Sequence, residues 1–263
     1  MDLGLKDRVA LVAASSQGLG KAVALGLARE GARLALCART EAVLQKTSDE
    51  IRAETGAEVL ARALDVTVYD QVRSFVKETA ERFGRVDICI ANAGGPPSKT
   101  FAETTVEDWK AGTDLNLMST VYLAREVLPG MQQRRWGRFI AITSVTVKQP
   151  VAGLILSNSV RAGVSGLIKT LANEYGPYNV LVNNVCPGYT ATARLEALSG
   201  KLAAAESVPV EKIKERWASL VPLGRLGRPD EFANMVVFLA SERASYINGV
   251  SITVDGGLVK GLY

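Results

Sequence analysis

Short runs of apolar residues alternate along the chain with longer stretches in which apolar positions recur at helical spacing. The first run, Val9–Ala14, is continuously apolar, as a strand covered on both faces requires. Further strands are predicted at Leu34–Ala38, Val59–Leu64, Val86–Ala91, Arg138–Thr143, Val180–Val185 and Val250–Val254. Between them the spacing predicts helices. Gly18–Glu30 stops at Gly31, and Glu41–Glu54, with Val43, Leu44 and Ile51 inward, ends at Gly56. Tyr69–Phe83 follows, then Val106–Leu128 with a break or a long continuation near Asn116, Val160–Tyr175 and Glu231–Ala240.

Strands that alternate with helices imply βαβ units and a parallel sheet. The expected fold class is α/β, a Rossmann-type doubly wound parallel sheet in a three-layer α/β/α sandwich. Residues 1–263 show no linker and no short-period repeat, so one domain is expected. The longest irregular stretch is Thr190–Pro229, with helices expected at Lys201–Glu206 and Val210–Leu220. So long an insertion beside a sheet edge is a candidate substrate lid, at about 190–229.

Composition narrows the function classes. The chain is 48% hydrophobic and 22% charged, in the range of globular proteins. The net charge is only +4, and its densest basic group is Arg134, Arg135 and Arg138, read as a solvated helix end. No basic stripe suggests nucleic acid. There is no His, and Cys37, Cys89 and Cys186 are dispersed, so no metal site is expected and the thiols read as buried and free. No apolar run approaches the length of a membrane helix, and MDLGLKDR lacks an apolar signal core. A cytoplasmic protein without membrane or nucleic-acid partners is the expectation.

The first strand runs into Ser15, Ser16, Gln17, Gly18, Leu19 and Gly20. Glycines in a turn between strand and helix let the backbone approach a ligand, and the helix start offers free N–H groups to a pyrophosphate. The second strand ends Cys37-Ala38-Arg39-Thr40, with no acid at its end. An acid there would bind the ribose of NAD, whereas Arg39 grips a phosphate in a bidentate manner. NADP is therefore favoured over NAD. Stacking of Arg39 on an adenine face is the other use of that side chain. Glu41 reads as a helix first-turn residue.

In order and spacing these pieces resemble the short-chain dehydrogenase/reductase family over nearly the whole chain. That family's TGxxxGxG loop corresponds to Ala13-Ala14-Ser15-Ser16-Gln17-Gly18-Leu19-Gly20, and its NNAG motif to Ala91-Asn92-Ala93-Gly94. The resemblance implies adenine binding at Asp65 and Val66, and cofactor contacts at Asn92, Ala93, Gly94, Pro187, Gly188 and Thr192. It implies catalytic roles at Asn116, in Asp-Leu-Asn-Leu, and at Ser144. The closing segments Gly224–Pro229, Phe238–Ser241 and Val254–Gly257 are similar to 3-oxoacyl-acyl-carrier-protein reductases. Such proteins reduce small carbonyl compounds or oxidise alcohols and are dimers or tetramers. Val164, Leu167, Ile168 and Leu171 with the last strand fit an interface of that kind, or plain core.

Two departures carry chemistry. Ala13 and Ala14 replace Thr and Gly of the loop, and the Ala14 methyl restricts its backbone. The family's catalytic Tyr-x-x-x-Lys begins about thirteen residues after its Ser, where this chain has Ser157 and Arg161. Their spacing of four puts both on one helical face. An aliphatic hydroxyl is a much weaker acid than a phenol, and an arginine stays charged and relays no proton. Arg161 retains the ability to hold ribose hydroxyls. Three readings stay open. The first is an oxidoreductase with a substitute proton donor: Tyr189, Lys148, or a water held by Ser144, Ser157 and Asn116. The second is a nucleotide-binding sensor or assembly partner with little catalysis. The third is a non-redox reaction on the same scaffold, as in halohydrin dehalogenases, which keep the Tyr that this chain lacks.

Overall fold

The computed structural model describes residues 2–262. Seven strands form one sheet in the order β3-β2-β1-β4-β5-β6-β7, every neighbouring pair parallel. They are β1 (Val9–Val12), β2 (Arg33–Ala38), β3 (Val59–Ala63), β4 (Ile88–Ala91), β5 (Gly137–Ile142), β6 (Val180–Pro187) and β7 (Ser251–Val254). The helices are α1 (Gly18–Arg29), α2 (Glu41–Thr55), α3 (Tyr69–Phe83), α4 (Val106–Thr113), α5 (Ser119–Arg134), α6 (Ile155–Tyr175), α7 (Ala193–Glu206), α8 (Val210–Leu220) and α9 (Pro229–Ala240). This is the doubly wound α/β sandwich that the alternation predicts.

Strand residues point alternately to two separate cores, which is why the runs are continuously apolar. Ala10 and Val12 of β1 pack with Val23, Leu27, Leu44 and Phe232 under α1, α2 and α9. Leu11, between them, packs with Phe75, Leu123 and Ile168 under α3, α5 and α6. All three cysteines are free and buried, and burial pushes the thiols of Cys37, Cys89 and Cys186 up. Val164 and Ile168 are core. Between β1 and β4 the strand order reverses, so the loops after these strands splay apart and leave a crevice at their carboxyl ends.

Several boundaries differ from the pattern, each for a physical reason. The stretch 106–128 is α4, then a π-helical turn at Asp114–Met118, then α5. The extra residue of the π turn is the break near Asn116. Helix α7 begins at Ala193, eight residues before the expected Lys201, because the Thr192 hydroxyl caps it by accepting from the Leu195 N–H at 3.3 Å. Helix α6 begins at Ile155 rather than Val160. Asn158 brackets Val151 there, accepting from its N–H and donating to its carbonyl, and so fixes the turn ahead of the helix. Val43 is exposed rather than inward, because the buried stripe of α2 runs through Leu44, Thr47, Ser48 and Ile51.

Of the basic group at 134–138, Arg134 and Arg135 are exposed at the end of α5, as expected, but Arg138 is not part of a solvated helix end. Arg138 lies on β5 and is fully buried. Its guanidinium stands 4.3 Å from the Trp136 ring centroid, and that of Arg8 lies 3.6 Å from the same ring. Glu242 accepts from Arg8, Arg138 and the Trp136 indole. Strand placement pulls Arg138 inward, and the aromatic face and the carboxylate offset the cost of burying its charge. Among the described residues no helix is long and apolar enough to cross a membrane.

Candidate functional site

The residues singled out by sequence fall at or just past the carboxyl ends of the strands, with Asn116, Ser157 and Arg161 reaching the same edge from the π turn and α6. After β1 the chain turns sharply. Gly18 has φ +59°, and a Cβ at Gly20 would stand 2.3 Å from the Ala14 carbonyl oxygen. Only glycine fits these positions. Ser15 is buried and donates through both its N–H and its hydroxyl to the Cys37 carbonyl, which ties the loop to β2. The Ser16 carbonyl accepts from Thr47 on α2. Gln17 precedes α1 without a side-chain cap, the first turn of α1 holds no acid, and Leu19 packs back on the core. The first N–H groups of α1 are thus left without a side-chain acceptor or a competing anion, which suits a pyrophosphate.

Asn92 ties the loop after β4 to this turn, donating at 3.3 Å to the carbonyls of Ala13 and Ala14. On the β2 side, Arg39 is exposed and makes no hydrogen bond or ion pair among the described residues. Glu41 occupies the first turn of α2, as expected. Asp65 accepts through Oδ1 from the N–H and hydroxyl of Thr67, and its other oxygen is not engaged; Val66 is buried core. On the β6 side, the Gly188 N–H donates to the Val254 carbonyl, and a Cβ at Gly188 would strike Asp255 at 2.7 Å. Pro187 ends β6. Thr192 lies over the glycine turn, 3.7 Å from where a Gly18 Cβ would be.

Ala14 stands in this turn at φ +47°, a left-handed conformation that costs a non-glycine residue about 1–2 kcal/mol. Ala14→Gly removes that strain and gives back about 0.5–1 kcal/mol in unfolded-chain entropy. A net stabilisation of up to about 1 kcal/mol is expected. Thermal unfolding checks it, and a parallel cofactor titration should show tighter binding as the methyl leaves the groove.

A second cluster surrounds Gly94. Its carbonyl accepts from Asn116 Nδ2 at 2.8 Å and from Arg161 Nη2 at 3.2 Å. Arg161 Nη1 also donates to the carbonyls of Ile142 and Thr143, so one buried guanidinium joins the ends of β4 and β5. Burial, and then the like charge of Arg194, push Arg161 down to about 10. Asn116 Oδ1 is buried without a protein partner, an acceptor waiting for a donor at the site. Ser144 accepts from the Thr146 N–H at 3.2 Å. The Ser157 hydroxyl lies 3.2 Å from that of Thr146, so the structure pairs Ser157 with a residue that sequence reasoning passed over.

Beside this cluster is a mainly apolar cavity of about 220 Å³, lined by Val145, Gln149, Val151, Tyr189, Leu220 and Leu258 among others. Tyr189 also borders a neighbouring cavity of about 140 Å³. Its ring stacks on Trp217 at 5.3 Å and 13°, and burial pushes its phenol up. The phenol makes no hydrogen bond among the described residues. Lys148 is exposed.

A family model described as Enoyl-(Acyl carrier protein) reductase matches residues 13–259. The 3-oxoacyl-[acyl-carrier-protein] reductase FabG of Aquifex aeolicus is 33% identical over 258 residues, covering 98% of this chain and 100% of that one. Its counterpart from Vibrio cholerae is 36% identical, covering 97% and 99%. The structure of L-sorbose reductase from Gluconobacter frateurii, complexed with NADPH and L-sorbose, superposes with a TM-score of 0.95 at 34% identity over all of both chains. An Actinorhodin polyketide ketoreductase with NADPH gives 0.93 at 33% identity, over 97% of this chain and 98% of that one. The glycine turn, the crevice at the strand reversal and these matches agree: the chain belongs to the short-chain dehydrogenase/reductase family of NAD(P)-dependent oxidoreductases, which transfer hydride between a nicotinamide and a substrate.

Proposed function

We propose that the chain is an NADP(H)-dependent carbonyl reductase or alcohol dehydrogenase in which Ser157 and Arg161 hold the positions of the family's Tyr and Lys, and Tyr189 supplies the proton. The observation that carries this reading is the Tyr189 phenol, which borders both cavities with no hydrogen-bond partner among the described residues. The nicotinamide cofactor supplies or accepts the hydride. The chain's own residues do the rest. The turn Ser15–Gly20 receives the pyrophosphate, Asp65 and Val66 the adenine, Thr192 the nicotinamide amide, and Asn92, Ala93, Gly94, Pro187 and Gly188 line the groove. Arg161 and Asn116 fix the Gly94 carbonyl and so set the floor, with Asn116 Oδ1 free to accept a ribose or water hydroxyl. Ser144, whose oxygen accepts from Thr146, keeps its proton to donate to the substrate oxygen. Residues 190–229 form the lid over an apolar substrate, in a homodimer or homotetramer.

Arg39 decides the cofactor. An exposed guanidinium at the end of β2, with no acid beside it, matches the added phosphate of NADP. Titration with both cofactors tests this: NADPH is expected to bind more tightly than NADH, and Arg39→Ala to weaken NADPH by about 10–100-fold while NADH is little changed. Equal effects on both would remove the preference. A second reading has its own support, because the hydroxyl of Ser157 is paired with Thr146 and Arg161 is tied to carbonyls, leaving no proton relay on α6. That reading is a cofactor-binding protein with little turnover. NADPH binding without turnover on a broad panel of ketones, aldehydes and alcohols would establish it.

A further inference from the structure

Arg194 is a cation without an acidic partner among the described residues. It stands in the first turn of α7, at the positive end of the helix dipole, where a basic side chain is unfavourable. It forms no salt bridge among the described residues. Its charge also bears on Arg161, helping to push that guanidinium down. These terms oppose a cation here, and the acid of the same turn, Glu196, is paired with Lys214 instead.

Its placement shows what would. The start of α7 crosses the mouth of the cofactor groove. Thr192 lies over Gly18 of the glycine turn, and two residues on, Arg194 reaches the opposite wall. There Nη2 donates to the Pro96 carbonyl at 2.8 Å, and the guanidinium rests against Gly95, where a Cβ would stand 3.1 Å from it. The side chain thus bridges the loops after β6 and β4, and the remaining guanidinium N–H groups stay uncommitted. Helices α7 and α8 otherwise pack on each other around Ala203, Ile213 and Trp217. Among the described residues, no other side-chain hydrogen bond of α7 or α8 leaves that pair of helices.

We propose that Arg194 is a further cofactor-binding residue, a strap whose free N–H groups take a pyrophosphate oxygen of the dinucleotide once it lies in the groove. The anion then cancels the charge that opposes Arg194, and the strap holds α7 and α8 over the bound cofactor. The inference rests on the reading of this groove as a nicotinamide dinucleotide site. It also supplies a grip on the pyrophosphate at a turn where Ala14 replaces a more accommodating glycine.

Calorimetric titration of the wild type, Arg194→Leu and Arg194→Lys with two probes tests it. One probe is NADPH; the other is adenosine 2′-phosphate, which lacks the pyrophosphate. Arg194→Leu is expected to weaken NADPH by about 10–100-fold and to leave adenosine 2′-phosphate unchanged, with Arg194→Lys between the two. The NADPH affinity of the Leu variant should also depend less on salt. Unchanged NADPH affinity in Arg194→Leu would overturn the proposal. So would an equal loss for both probes, which marks a general disturbance of the site. A raised KM for an acidic substrate at unchanged NADPH affinity would assign Arg194 to the substrate instead. If the wild type binds neither NADPH nor NADH, the dinucleotide reading itself fails, and that outcome is separate from the others.

Discussion

Replacing Tyr189 with Phe is expected to lower kcat for carbonyl reduction by about 10²–10⁴-fold, the usual range for loss of a positioned general acid. NADPH affinity should stay within about twofold, because the ring and its stacking on Trp217 are kept. The competing donors are weaker on physical grounds. Ser144 and Ser157 are aliphatic hydroxyls, and Ser157 is already paired with Thr146. Lys148 is exposed and lines neither cavity. Burial raises the Tyr189 phenol above the usual phenol range, so it stays protonated through the neutral range. Reduction by the wild type should therefore show no loss through the neutral range from this group, and fall only at alkaline pH as the phenol ionises. Adding Ser157→Tyr to the Tyr189→Phe variant brings a phenol back from the α6 side and should recover part of the turnover. A Tyr189→Phe protein with the wild-type rate would show that the proton comes from elsewhere.

Continuous apolar runs made the central strands legible, because β1 and β4 are covered on both faces and buried at every position. Tyr69–Phe83 and Val210–Leu220 were readable to the residue, since charged faces and flanking breakers bracket both. The start of α7 was not, because Ser199 and Gly200 imitate a turn and the cap at Thr192 depends on backbone geometry. The buried Arg138 was illegible for a similar reason. Its partners Trp136, Arg8 and Glu242 come together only through the sheet. In the site, the glycine turn and the Gly94 loop could be read because backbone constraints select particular residues. The pairing of Thr146 with Ser157 and the reach of Arg194 to Pro96 could not. Both join positions on different elements, and neither partner is of an unusual type for where it stands.

Arg161→Met is expected to remove most activity while changing stability far less than the loss of three hydrogen bonds suggests. A guanidinium brought down to about 10 by burial and a like charge is held cationic at a cost of roughly 3 kcal/mol. Its bonds to Ile142, Thr143 and Gly94 outweigh that cost only together, at about 1.5–3 kcal/mol each for a charged donor. Methionine removes the cost along with the bonds, and Gly94 keeps its bond from Asn116. The net loss should be about 1–2 kcal/mol, a fall in Tm of a few degrees for a chain of this size. The functional loss does not cancel in this way. Arg161 joins the loop after β4 to the end of β5, where Ser144 begins, and a misplacement of about 1 Å there costs on the order of 10²-fold. A kcat/KM lowered by about 10²–10³-fold with a nearly intact melting curve would place Arg161 in the service of the site. A collapse in Tm of tens of degrees would make it a structural residue instead. The bonds it makes would then be worth far more than its buried charge costs.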